Sequence, residues 1–75
     1  MKRYKNLEGN SGVYAFEIGT DYIKVQFREG SLYKYSYLNP GIKAVERMKQ
    51  LALAGRGLST YISTYIRKRY AAKLR

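Results

Sequence analysis

The sequence predicts an α+β fold: a three-stranded antiparallel β-meander followed by two α-helices packed on one sheet face. Three observations carry that expectation. Between Val13 and Tyr37, three runs of strand-forming residues are separated by two short turns. After Asn39-Pro40 the apolar spacing changes from two residues to between three and four. A chain of 75 residues has room for one small domain, whose layers must bury each other.

Residues 1–11 mix charges with Gly9 and Asn10 and show no periodicity, which reads as a flexible basic N-terminal arm. Residues 12–72 form the β-β-β-α-α domain, and residues 73–75 a basic C-terminal tail. The first strand, over 13–18, would put Tyr14, Phe16 and Ile18 on one face. Gly19-Thr20-Asp21 is turn chemistry. The second strand, over 22–27, alternates cleanly: Ile23, Val25 and Phe27 against Tyr22, Lys24 and Gln26. Arg28-Glu29-Gly30-Ser31 supplies the next turn, and the third strand runs over 32–37. Its tyrosines Tyr33, Tyr35 and Tyr37 share a face, which the helices should cover. Left open, that face would be a stacking platform for single-stranded nucleic acid.

Asn39 is a good helix N-cap and Pro40 suits the first helical position. Ile42, Val45, Met48 and Leu51 then recur at helical spacing until Gly55-Arg56-Gly57 interrupts. Next, Ser59-Thr60-Tyr61-Ile62 is repeated at once as Ser63-Thr64-Tyr65-Ile66. As a helix this segment gathers Leu58, Tyr61, Ile62, Tyr65 and Ile66 on one stripe, with Tyr70 one turn further. As a strand it would divide them between two faces, although Thr, Tyr and Ile are strand formers. Helix is the expectation.

The charge is asymmetric. From Arg47 onward there are eight basic residues and no acidic one, whereas residues 1–46 hold seven basic and five acidic. The net charge of +10 therefore belongs mostly to the C-terminal part and favours polyanions as partners. The chain has no histidine and no cysteine, and its five acids show no paired-carboxylate or metal-binding spacing. Catalysis, a cofactor and a metal are not expected. With no leader-like or membrane-spanning apolar run, a soluble cytoplasmic monomer is the expectation.

The binding residues expected from this pattern are Arg67, Lys68, Arg69 and Lys73, supported by Arg56 and Lys34. Arg67 and Lys68 would continue the Ser63/Thr64 side of the second helix, giving a strip of hydroxyls and cations suited to phosphate oxygens. The outer sheet face offers a second surface, where Tyr22 would lie among Lys24, Arg28 and Lys34 and could stack a base. Cations in the last turns of a helix also favour its dipole and keep a surface solvated.

The order of Val25-Gln26-Phe27, Gly30, Tyr33-Lys34-Tyr35, Leu38 and Pro40, then Gly57, Tyr61-Ile62, Ile66-Arg67 and Tyr70, resembles the KTSC domain family, named from the C-terminus of some lysyl-tRNA synthetases. The resemblance spans residues 11–70. Gly55 stands where many members have Ser, and Asn39 where Pro is common. The resemblance implies the same β-β-β-α-α fold, no catalytic residues, and RNA as the ligand. The functional expectation is a small non-catalytic domain binding RNA or other nucleic acid through backbone phosphates with low sequence specificity. The alternative is a protein-interaction module that docks on an acidic partner or pairs through a sheet edge. Membrane contact is not expected, because the apolar stripe from Leu58 to Ile66 is needed for the core.

Overall fold

The computed structural model describes residues 1–75. An antiparallel sheet carries two helical segments on one face, as the sequence predicts, but it has five strands rather than three. They are β1 (Lys2–Arg3), β2 (Val13–Ile18), β3 (Tyr22–Phe27), β4 (Leu32–Ser36) and β5 (Ala72–Lys73), in the order β1-β2-β3-β4-β5. The central meander follows from its alternation and turns. The two outer strands come from segments with no alternation to announce them.

Residues 1–11 are not a flexible arm. Lys2 and Arg3 pair with Phe16 and Ala15. Tyr4 is buried in the core, and its hydroxyl accepts the Leu58 N–H at 3.3 Å. The Leu7 N–H donates to the Gly55 carbonyl at 2.8 Å, and the Glu8 carboxylate accepts the Gly57 N–H. Burial raises the Tyr4 phenol pKa above its ordinary value, which keeps a neutral hydroxyl at this inward position. Residues 73–75 are likewise tied in: Lys73 pairs with Tyr33, and the Leu74 N–H donates to the Leu32 carbonyl.

An irregularity in the β2–β3 register between Val13 and Ala15 corrects one face assignment. The extra residue turns Tyr14 out to solvent and Val13 into the core. Beyond it Phe16 keeps its expected inward place opposite Val25, and Ile23 lies opposite Tyr35, but Ile18, expected on the same face, is exposed at the strand end. The core comprises Phe16, Ile23, Val25 and Tyr35 with Tyr4, Val13, Val45, Met48, Ala52, Leu58, Ile62 and Ile66. Each fully buried aliphatic side chain contributes about 1.5–3 kcal/mol.

Helix α1 (Ile42–Ala54) packs on β3 and β4. Of the predicted stripe, Val45 and Met48 are buried, Leu51 is half-buried and Ile42 is exposed at the helix start, while Ala52 beside the stripe is buried. It starts later than expected. Gly41, not Asn39, is its N-cap, and the Asn39 side chain instead donates to the Tyr70 carbonyl at 3.0 Å. The Ser36 carbonyl accepts the N–H groups of Asn39 and Gly41, so a turn intervenes between β4 and the helix. Gly55 ends α1 in the left-handed conformation; a Cβ there would lie 2.6 Å from Lys5 Cβ, so a glycine is required twice over.

Helix α2 (Leu58–Tyr61) is short and widens into a π turn over Ile62–Ile66, closed by the Arg67 N–H on the Ile62 carbonyl. The segment is helical, as favoured, but it stops before Arg67. Widening breaks the four-residue stacking: Ile62 and Ile66 stay buried while Tyr65 is 62% exposed. No helix is long and apolar enough to cross a membrane.

Candidate nucleic-acid interface

Because the π turn ends at Ile66, Arg67, Lys68 and Arg69 do not occupy consecutive helix positions. The chain turns sharply at Arg67, whose backbone sits at φ 53°, ψ −117°. That region suits glycine; for arginine it stores roughly 1–3 kcal/mol of strain. The turn separates the three cations. Arg67 and Lys68 point to one side of the molecule and Arg69 to another.

Arg67 and Lys68 border a cleft of about 540 Å³ between the π turn and the inner face of the sheet's β3–β4 end. Register places the floor. Tyr33 pairs with Val25 on one side and Lys73 on the other, so its ring lies inward beside the last strand. The Tyr33 ring meets Phe27 edge-on, with centroids 5.8 Å apart, and Tyr70 at 4.7 Å. Tyr35 and Ile62 complete the apolar lining. Arg28, on the turn after β3, stands on the rim, its Nε donating to the Ser11 carbonyl at 3.0 Å. Lys73 Nζ lies 5.8 Å from the Tyr33 centroid. The cleft's one acid, Glu29, is engaged by its own turn: its carboxylate accepts the Ser31 N–H at 2.8 Å. Hydrogen bonding from Ser31 lowers its pKa, with the Lys73 charge a smaller cause.

Only two ion pairs form in the molecule, Lys24–Glu17 and Lys49–Glu46. None of Arg28, Arg67, Lys68 and Lys73 is in either. The cleft thus joins half-buried aromatic rings to cations that have no ion-pair partner.

The other expected residues lie elsewhere. Arg69 borders a second groove with Tyr37, Ile42, Lys43, Tyr61 and Tyr65, and its guanidinium folds back onto the Tyr65 carbonyl. Arg56 is exposed in the loop between α1 and α2 and borders neither groove. Lys34 and Tyr22 are on the opposite sheet face. There, Glu17, Lys24 and Lys34 are cross-strand neighbours in one row. The Tyr22 hydroxyl donates to Glu17 at 2.9 Å, and Lys34 Nζ is 4.9 Å from the Tyr22 centroid. The Tyr22 hydrogen bond, then Lys24, lowers the Glu17 pKa, and the same bond raises that of the Tyr22 phenol. The ring also lies over Gly19, where a Cβ would clash with it at 2.0 Å. This surface gathers Tyr22, Lys24 and Lys34 as expected, but not Arg28, and it holds an acid at its centre.

On α1, Lys49 is neutralised by Glu46 at 2.8 Å and donates to the Thr20 carbonyl. The late-chain cations therefore do not form one continuous face. Phe27, Arg28, Tyr33 and Tyr70 are the cleft residues that the charge pattern alone passes over. For Tyr33 the signal was the alternative in which its strand's tyrosine face stays open; Arg28 was expected on the outer face, and nothing in the pattern pointed to Phe27 or Tyr70 as cleft residues. No protein-family model, curated protein or solved structure matches the chain.

Proposed function

We propose that the protein is a small non-catalytic binding domain for RNA, or nucleic acid more broadly, held through backbone phosphates with low sequence specificity. One observation carries this reading: a cleft floored by Phe27, Tyr33 and Tyr70 whose rim cations Arg28, Arg67 and Lys68 have no carboxylate paired to them. Arginine and lysine there can hold phosphate oxygens, while the aromatic floor accepts a sugar or base. The order of motifs that resembles KTSC domains would, if it reflects kinship, point in the same direction. The proposed unit is a cytoplasmic monomer without a cofactor. Arg67 and Lys68 carry the main contacts, Arg28 and Lys73 support them, and Arg69, Arg56, Lys34 and Tyr22 are peripheral.

Fluorescence anisotropy of a labelled single-stranded RNA across a salt series tests the reading. Micromolar or weaker binding is expected, with log K falling linearly against log salt because phosphate contacts release counterions. Equal binding at low and high salt would remove it.

The second groove gives the rival reading its own observation. Exposed Ile42 and Tyr65, flanked by Lys43 and Arg69, would suit an acidic, partly apolar protein partner. Pairing through a sheet edge has less support, since both edge strands are two residues long and carry Lys2, Arg3 or Lys73. A partner captured equally well with and without nuclease would favour the protein reading.

A further inference from the structure

We infer that the cleft admits one unpaired base, so that the protein discriminates single-stranded from duplex nucleic acid; this rests on the nucleic-acid reading above. A phosphate-only contact needs no cavity, yet this one has a volume of about 540 Å³, inside the roughly 300–1,000 Å³ range of small-ligand sites. Its floor is aromatic rather than aliphatic: Phe27, Tyr33 and Tyr70 are only half-buried and keep ring surface free on the cleft side. Every base has a π-face, so such a floor accepts any of the four and adds affinity without reading sequence. The cations stand at the mouth, where the phosphate attached to an inserted base would emerge. In a duplex the bases are stacked and paired within the helix, so a duplex reaches those cations but not the floor.

The backbone gives an independent indication. Arg67 takes a conformation suited to glycine directly after a π turn. Both features concentrate at functional sites. The consequence here is geometric: the tight turn at Arg67 ends the helix and delivers its guanidinium and the Lys68 ammonium to the cleft mouth, where a continuing helix would have carried them onto an outer strip.

The test compares binding of a single-stranded RNA with that of a duplex carrying the same number of phosphates, using the full chain and its Tyr70→Leu variant. Tyr70→Leu keeps apolar bulk at a half-buried position, and circular dichroism checks that it folds. The wild type should bind the single strand about tenfold more tightly, and Tyr70→Leu should lose most of that ratio while binding duplex as before. In parallel, NMR of the wild type should show ring signals of Phe27, Tyr33 and Tyr70 shifting with uridine monophosphate and not with ribose 5-phosphate; this readout stands if the variant misfolds. Equal single-strand and duplex affinity, with Arg67→Gln/Lys68→Gln weakening both, would overturn the inference and leave phosphate binding intact. No binding to any nucleic acid would remove both. A phosphotyrosine peptide that binds the cleft more tightly than the oligonucleotides would show that its aromatic-anion ligand is a protein.

Discussion

The inner cleft and the outer sheet face are built from the same materials and differ in one respect. Both set tyrosine beside lysine or arginine on neighbouring strands. On the outer face, Glu17 pairs with Lys24 at 3.6 Å and accepts the Tyr22 hydroxyl. In the cleft, the single carboxylate, Glu29, is occupied by Ser31, and the cations remain unpaired. The density of positive charge does not separate the two surfaces; the position of one acid does. An anion arriving at the outer face must compete with Glu17 for its ion-paired Lys24, whereas in the cleft Glu29 forms no ion pair with Arg28, Arg67, Lys68 or Lys73.

The sharpest way to break this comparison is to remove cations from each surface in turn. Arg67→Gln with Lys68→Gln should weaken RNA binding strongly and reduce the salt slope by about 1.4, the share of two contacts on a single strand. Lys24→Gln with Lys34→Gln changes the net charge equally and should alter the slope by less than half as much. Equal effects from the two pairs would mean that the protein binds by overall charge.

Arg67→Gly sharpens the comparison in a different way. It relieves the positive-φ strain and should raise stability in urea unfolding by about 1 kcal/mol while weakening RNA binding in anisotropy. A variant that gains stability and keeps full affinity would show the strained arginine to be incidental.

A smaller effect should follow from freeing the outer face. Glu17→Gln removes the charge paired with Lys24 while keeping an acceptor for the Tyr22 hydroxyl, so binding at low ionic strength should tighten by a factor of about two and return to the wild-type value when salt screens the surface. If affinity does not change, Glu17 is not what keeps that face inactive.

The smallest effect is on acid stability. The pKa values of Glu17, Glu29 and Glu46 are all lowered in the folded protein, Glu17 chiefly by Tyr22, Glu29 by Ser31 and Glu46 by Lys49. A depressed carboxylate stabilises the fold above its unfolded pKa, and that contribution fades as pH falls through the folded value. Thermal midpoints should therefore be flat above about pH 5 and decline slightly below about pH 4.5, and Glu17→Gln should flatten part of the decline. Because these groups are exposed, solvent screening keeps each contribution small.

Much of the fold could be read from the sequence because its signals are periodic. The alternation of residues 22–27 fixed the face of β3, and the Ile42, Val45, Met48 spacing marked α1. Three features resisted such reading for physical reasons. The edge strands Lys2–Arg3 and Ala72–Lys73 are too short to alternate and exist only because β2 and β4 offer free backbone groups to pair with. The bulge at Tyr14 depends on one residue of register, which composition does not encode. The π turn replaces an α turn with almost the same residue pattern, so the repeat around Ser63-Thr64 read as a regular helix and carried Arg67, Lys68 and Arg69 onto one strip. For the site, residue type was legible and placement was not. Arg67 and Lys68 were expected and both border the cleft, and Lys73 lies beside its Tyr33; the aromatic neighbours were recognisable only if the face bearing Tyr33 was left partly uncovered.

The last strand carries a consequence for synthesis. The β2–β4 meander is made of consecutive hairpins and can form while the chain is still leaving the ribosome. The cleft cannot, because one wall is the 62–68 turn and Lys73 completes the edge beside Tyr33. A nascent chain lacking these residues would show Phe27, Tyr33 and Arg28 without Tyr70 and without the cations Arg67 and Lys68. The cleft proposed to hold RNA is thus complete only after residues 62–73 have emerged, when the rest of the sheet can already have folded.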